Sequence, residues 1–159
     1  MATQNYFQLF DLETKYVIDK KQLDQKLFEK QAKFHPDNHI FSPDIQNNLE
    51  KSQELNLAYK VLKSDFMRAE YMLILNGFDI STQELDQDFL METFEWREKL
   101  NDHALLPELK LEIVENIDKT LLSLGYSLEK ELYEPAKNEY IRLKFLKRFL
   151  EEIEKVLIK

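Results

Sequence analysis

The stretch "KFHPDNHIF", residues 33–41, interrupts a chain that otherwise reads as helix. Pro36 has no N–H to donate, and the residue before a proline avoids helical angles, so the preceding helix ends at His35. Pro43 bounds the other side, which makes residues 35–43 a loop. Upstream, from about Lys20 to Phe34, Leu23, Leu27 and Phe34 recur on one stripe. Downstream, helix resumes near Asp44 and carries Leu49, Leu55, Ala58, Tyr59 and Leu62.

Moving outward, "YFQLF" at 6–10 reads as a short first helix, and residues 65–75 as another, stopped by Asn76 and Gly77. "NGFDIST" follows as the one linker in the chain. Beyond it three helices are expected, at about 82–102, 107–132 and 136–158, broken by "NDHALLP" and "LYEP". Long helices with short connections and one apolar stripe each pack as an antiparallel bundle. No segment keeps a period of two, and only two glycines occur, Gly77 and Gly125. The expected fold is all-α, with an N-terminal helical hairpin in residues 1–76, a linker at 77–83 and a C-terminal antiparallel three-helix bundle in 84–159.

Composition removes several functions. With no cysteine, thiolate metal sites, cysteine-ligated clusters and cysteine nucleophiles are out of reach. Two glycines cannot build a phosphate-cradling loop. A net charge of -8 disfavours nucleic acid, whose binding is driven by lysine and arginine releasing counterions. That charge is uneven: residues 1–75 carry 10 basic against 11 acidic side chains, and residues 76–159 carry 12 against 19. Two halves so different can meet different partners. With no run of about twenty apolar residues and no secretory pattern at the start, no membrane contact is expected and a cytoplasmic location is. Nothing in the sequence calls for more than a monomer.

Helix 82–102 carries more apolar surface than a bundle helix needs. At about 100° per residue, Leu85, Phe89, Trp96 and Leu100 gather on one stripe. Leu90, Met91 and Phe94 lie on the opposite side, with Glu98 beside them. Either another part of the chain covers this second face, or three large apolar side chains mark an interaction patch.

The loop admits three readings. It is ordinary proline turn chemistry, or a metal site built from His35, Asp37 and His39, or a recognition element. Catalysis by His35 with Asp37 lacks a nucleophile at fixed spacing and an oxyanion site. The recognition reading gains from context. "YFQLFDL" before the tripeptide His35-Pro36-Asp37, "LNLAYKVLKSDFMRAEYMLILNGFD" after it and "FLMETFEWREKL" farther on together resemble the HscB family of J-domain cochaperones in iron-sulfur cluster assembly. The resemblance runs over essentially the whole chain.

What the resemblance implies is a non-enzymatic adaptor without a cofactor. His35, Pro36 and Asp37, with the basic side chains Lys26, Lys30 and Lys33 of the preceding helix, would engage a DnaK-type chaperone, HscA, and stimulate its ATP hydrolysis. Leu90, Met91, Phe94, Glu95, Glu98 and Asp102, joined by Phe145 from the last helix, would hold the cluster scaffold IscU. Phe145 also lies at the edge of its own helix's apolar stripe with Ile141, so a core role stays open for it. The basic face departs from the family pattern: Lys30 stands beside Leu23, Leu27 and Phe34 where the family has an apolar residue, and Asn38 replaces a common lysine. A J-protein that delivers unfolded clients is the other class consistent with the loop.

Overall fold

The computed structural model describes residues 4–34, 45–82 and 84–158. The proline corner, with His35, Pro36, Asp37 and His39, lies outside them. Every described element is helical: α1 Tyr6–Leu9, α2 Lys20–Phe34, α3 Ile45–Lys63, α4 Asp65–Leu75, α5 Gln87–Lys99, α6 Leu106–Glu129 and α7 Tyr133–Ile158, with a 3₁₀ turn at His103–Leu105. The expectation of an all-α chain holds. Contacts divide it into two compact units, Met1–Tyr71 and Met72–Lys159.

In the first unit, α1 is only four residues long, so local caps hold it. The Asn5 side chain accepts from the Gln8 N–H at 2.8 Å while the Gln8 side chain accepts from the Asn5 N–H at 2.9 Å, a reciprocal capping box. The α2–α3 hairpin is zipped in antiparallel sense by polar pairs at both ends. Gln31 donates to the Asn56 side chain at 2.7 Å, while Asp24 accepts from the Tyr59 hydroxyl and the Lys63 ammonium, each at 2.6 Å. Those two bonds hold the Asp24 carboxyl below its ordinary pKa. Between them Phe7, Phe10, Leu23, Leu55, Ala58 and Leu62 are buried. Leu49, which the sequence places on the same helix, is 37% exposed because it stands about 120° off the stripe of Leu55, Ala58 and Leu62.

One charge lies in this interior. The Arg68 side chain is 4% exposed, and its guanidinium donates from Nε to the Tyr16 carbonyl at 2.6 Å, from Nη1 to the Leu62 carbonyl at 2.6 Å and from Nη2 to Asp65 Oδ1 at 2.7 Å. It also lies over the Tyr16 ring, 4.7 Å from the centroid. A single side chain thereby ties the end of α3, the start of α4 and the loop before α2. Burial pushes the Asp65 carboxyl up, but hydrogen bonds from Arg68 and Lys20 outweigh it and leave its pKa lowered.

The second unit is a three-helix bundle, as expected. Its α6 and α7 form a long antiparallel hairpin joined at one end by Ser123 and Ser127, whose hydroxyls donate to Glu139 Oε1 at 2.9 and 3.1 Å. In the core, Phe89 and Trp96 of α5 meet Leu106, Leu109 and Ile113 of α6 and Leu146, Phe149 and Ile153 of α7. Among the described residues no helix is long and apolar enough to cross a membrane.

Helix boundaries in the second unit depart from the periodicity at several ends, with α6 stopping at Glu129 rather than near 132. The α5 helix begins at Gln87 rather than near 82, because the Asp86 carboxylate accepts from the Phe89 N–H at 2.8 Å and caps it there. It ends at Lys99 rather than near 102. Asp102 instead caps the 3₁₀ turn, accepting from the Ala104 N–H at 3.0 Å. The α7 helix begins three residues early, at Tyr133, with Pro135 in its first turn, where a missing N–H costs nothing because those donors have no helical acceptor anyway.

Three helix ends share one geometry. After α1, α4 and α6 the residues Asp11, Gly77 and Glu131 adopt positive φ, at 56°, 82° and 58°. In each, the next N–H reaches back five residues: Leu12 to Phe7 at 2.9 Å, Phe78 to Leu73 at 3.0 Å and Leu132 to Ser127 at 2.8 Å. This paired C-terminal closure favours glycine at the left-handed position, and only Gly77 supplies it.

Three outcomes are expected. Arg68→Leu leaves two buried carbonyls and Asp65 without their donor and should lower unfolding free energy by about 3 kcal/mol or more, read by denaturant titration. Asp65 is more acidic folded than unfolded, so its contribution is present above about pH 4 and lost as pH falls through the lowered folded value; Asp65→Asn should therefore flatten the acid limb of the stability curve. Glu131→Gly relieves a left-handed non-glycine residue and should raise stability by about 1 kcal/mol in the same assay.

Candidate protein-binding surfaces

The α5 helix packs by one face only. Phe89 and Trp96, seven residues apart, insert edge to face with ring centroids 5.8 Å apart. Trp96 continues onto Phe149 at 6.1 Å, and its indole N–H donates to Glu112 Oε1 at 3.0 Å. Thr93, on the same side, is buried, and its hydroxyl donates to the Leu90 carbonyl at 2.6 Å, which removes the cost of burying it. Leu85 and Leu100 pack against the rim of this cluster. The four residues placed on the inner stripe by their spacing are therefore the inner stripe.

Leu90, Met91 and Phe94 point the other way and are 40%, 63% and 55% exposed. Glu95 and Glu98 share that exposed side. The ridge is an apolar strip about two helical turns long with carboxylates along it. Within its own unit this second face of α5 is exposed. Asp102 is exposed too, but it lies past the end of α5, with its carboxylate occupied as a cap. Phe145 is half-buried and packs against the core, edge-on to Phe89 at 5.5 Å and stacked on Phe149 at 6.0 Å.

Ion pairs fix α5 laterally. Arg97, which the sequence does not single out, lies 5.8 Å from the Phe145 centroid and 5.6 Å from that of Phe149, and reaches Glu152 at 3.4 Å. Arg142 of α7 covers the Phe89 ring at 4.4 Å and pairs with Glu92 at 3.6 Å. An arginine three residues past Phe94 carries no periodic signal of its own. Only the tertiary fold shows that it roofs the aromatic cluster.

In the first unit, the lysines of α2 are less free than a basic face implies. Lys30 Nζ sits 3.1 Å from Asp11 Oδ2, with its side chain 30% exposed, so its stem runs past the core while its charge is met by a carboxylate. Lys26 donates to the Asp11 carbonyl oxygen at 3.3 Å. Lys33 places its ammonium 5.6 Å from the Phe34 ring centroid. Asp11, in its left-handed turn after α1, thus gathers two of the three cations. Phe28, on the same helix, is 77% exposed. Among the described residues no group of three or more histidine, aspartate or glutamate side chains could hold a metal, and His35, Asp37 and His39 lie outside them.

Two helical units, the second exposing an apolar ridge on α5, define an all-helical protein with a surface of the kind that binds other proteins. Residues 85–154 match the family model described as the HSCB C-terminal oligomerisation domain. Along 97% of its length the chain is 31% identical to a co-chaperone protein HscB homolog of Psychromonas ingrahamii, covering 96% of that relative. Along 96% it is 35% identical to the homolog of Aliivibrio salmonicida. The chaperone HscB from Vibrio cholerae superposes with a TM-score of 0.80 at 30% identity, covering 96% of this chain and 97% of the other. Human co-chaperone protein HscB gives 0.84 at 25% identity, covering 98% and 83%. The chain belongs to the HscB co-chaperone family.

The two faces of α5 should separate cleanly by mutation. Phe89→Ala removes a fully buried ring and should cost about 3–5 kcal/mol, whereas Leu90→Ala, Met91→Ala and Phe94→Ala together should cost under about 1.5 kcal/mol, because their side chains already meet water. Thermal unfolding followed by circular dichroism checks both.

Proposed function

We propose that this HscB-family chain is an adaptor with two binding surfaces. Residues 1–76 act as a J-domain that stimulates the ATPase of a DnaK-type chaperone, HscA, and residues 84–159, beyond the linker 77–83, hold the iron-sulfur scaffold IscU. The chain hydrolyses nothing itself. It brings the scaffold to the activated chaperone and so assists maturation of iron-sulfur proteins. Holding two partners at once raises the effective concentration of one near the other.

One observation carries this reading: a helix whose buried face already fills a core exposes three further large apolar side chains, Leu90, Met91 and Phe94. Covering each would contribute roughly 1.5–3 kcal/mol, against association costs of about 4 kcal/mol or more. The balance favours a reversible complex, which suits delivery. Glu95, Glu98 and Asp102 set orientation on a basic partner surface, and Phe145 contributes through its exposed edge. On the chaperone side, Pro36 stiffens the corner and lowers the ordering entropy lost on docking, while His35 and Asp37 present hydrogen-bonding groups. Because Lys30 pairs with the Asp11 carboxylate and Lys26 donates to its carbonyl, their steering depends on breaking one largely exposed ion pair and one exposed hydrogen bond, which costs little. Lys33 adds a third positive charge.

Two measurements test the halves separately. Steady-state ATP turnover by HscA should rise with this protein and lose that rise with His35→Gln; unchanged stimulation would end the J-domain assignment. Calorimetric titration of IscU should show affinity falling by about a hundredfold or more when Leu90, Met91 and Phe94 are all alanine. If affinity is undiminished, the ridge has another role. If the C-terminal unit instead retains unfolded peptide, the protein is a general J-protein for unfolded clients.

A further inference from the structure

From Lys137 to Arg148 the last helix carries five cations and one acidic residue, in a chain of net charge -8. The helical repeat sets Lys137, Ile141, Lys144 and Arg148 on one side of α7. Between that side and the segment leading into α5 lies a cleft of about 200 Å³, lined by Thr82, Leu85, Ile141, Lys144, Phe145 and Arg148. Its floor is apolar, its rim carries two cations, and no carboxylate borders it.

The contrast with neighbouring cations gives the cleft its meaning. Arg97, Lys99, Lys110 and Arg142 each hold a carboxylate at 3.4 to 3.8 Å. Lys144 and Arg148 form no ion pair with any described residue. An adjoining cavity of about 290 Å³ shares Thr82, Leu85 and Ile141, but there Glu84 and Asp86 stand opposite Lys137 and Arg142, so its charges are balanced within the chain. Only the smaller cleft presents uncompensated positive charge over apolar side chains.

We propose that this cleft docks an acidic peptide segment of a partner protein. One leucine- or phenylalanine-sized side chain enters between Leu85, Ile141 and Phe145, and flanking carboxylates meet Lys144 and Arg148. A free small anion would leave the apolar floor uncovered. A nucleic acid would meet two cations here and repulsion from the acidic remainder of the chain. The inference does not rest on the assignment of the α5 ridge; Phe145 is the one residue named in both.

The test uses the full chain, ¹⁵N-labelled, and a blocked heptapeptide with phenylalanine at its centre and aspartate or glutamate at the other six positions. Titration should shift the amides of Leu85, Ile141 and Lys144, and the affinity should weaken as salt is raised. Lys144→Glu with Arg148→Glu should weaken binding about tenfold or more, since two favourable charge contacts become repulsive. Lys155→Glu, an exposed change of the same sign on the same helix, should leave it unchanged. An alanine-centred peptide should bind more weakly than the phenylalanine one. Equal binding by the double variant, equal binding of a lysine-flanked peptide, or shifts confined to other residues would overturn the proposal. Should the double variant unfold, Lys144→Gln with Arg148→Gln carries the same comparison.

Discussion

The second unit depends on how α5 is anchored. Phe89 and Trp96 wedge into the α6–α7 hairpin, Thr93 satisfies its own hydroxyl between them, and Arg97 and Arg142 close over the aromatic cluster from either end. Because those residues recur at helical spacing, the opposite side of the helix is turned away from the core of its own unit. Leu90, Met91 and Phe94 are exposed as a consequence of that inward wedge. A rigid helix presenting pre-positioned apolar side chains loses little conformational freedom on binding, which is what the proposed use of the ridge as a recognition surface requires.

The first unit solves a different problem. Its helices are locked together at the junction of α3 and α4, and Arg68 is the lock. A buried guanidinium with three acceptors and a ring beneath it fixes the loop before α2 against the α3–α4 junction. Removing the charge would leave unpaired acceptors in a dry place, which is why such a residue specifies one arrangement more than it adds net stability. Asp11 adds a second constraint nearby: drawn into a left-handed turn, it presents a carboxylate to Lys30 and a carbonyl to Lys26. The charge of α2 is thus partly held within the unit.

Acidity and basicity are sorted in the C-terminal half at a finer grain than its net charge suggests. The α5 ridge carries exposed glutamates, while a central stretch of α7 is basic along one side. Among those cations Arg142 pairs with Glu92, whereas Lys144 and Arg148 form no ion pair with any described residue. Opposite charges on distinct surfaces let a small bundle discriminate between partners, since a partner suited to one surface is repelled by the other.

The amino-acid sequence alone determined the helical class, the approximate elements and both faces of α5. Those features follow from the 3.6-residue repeat of Leu85, Phe89, Trp96 and Leu100, and from the inability of proline to continue a helix. The family, too, was legible in contiguous motifs. Tertiary structure decided what periodicity cannot encode. Asp86 and Asp102 moved the ends of α5, because a cap is a hydrogen bond to a particular N–H and any nearby aspartate looks alike in one dimension. The roofing by Arg97 and Arg142, the pairing of Lys30 with Asp11 and the lack of an ion pair for Lys144 and Arg148 among the described residues join residues distant in the chain or depend on which carboxylates come within reach. Charges on a helix surface share one pattern whether free or paired, and only three-dimensional proximity tells them apart.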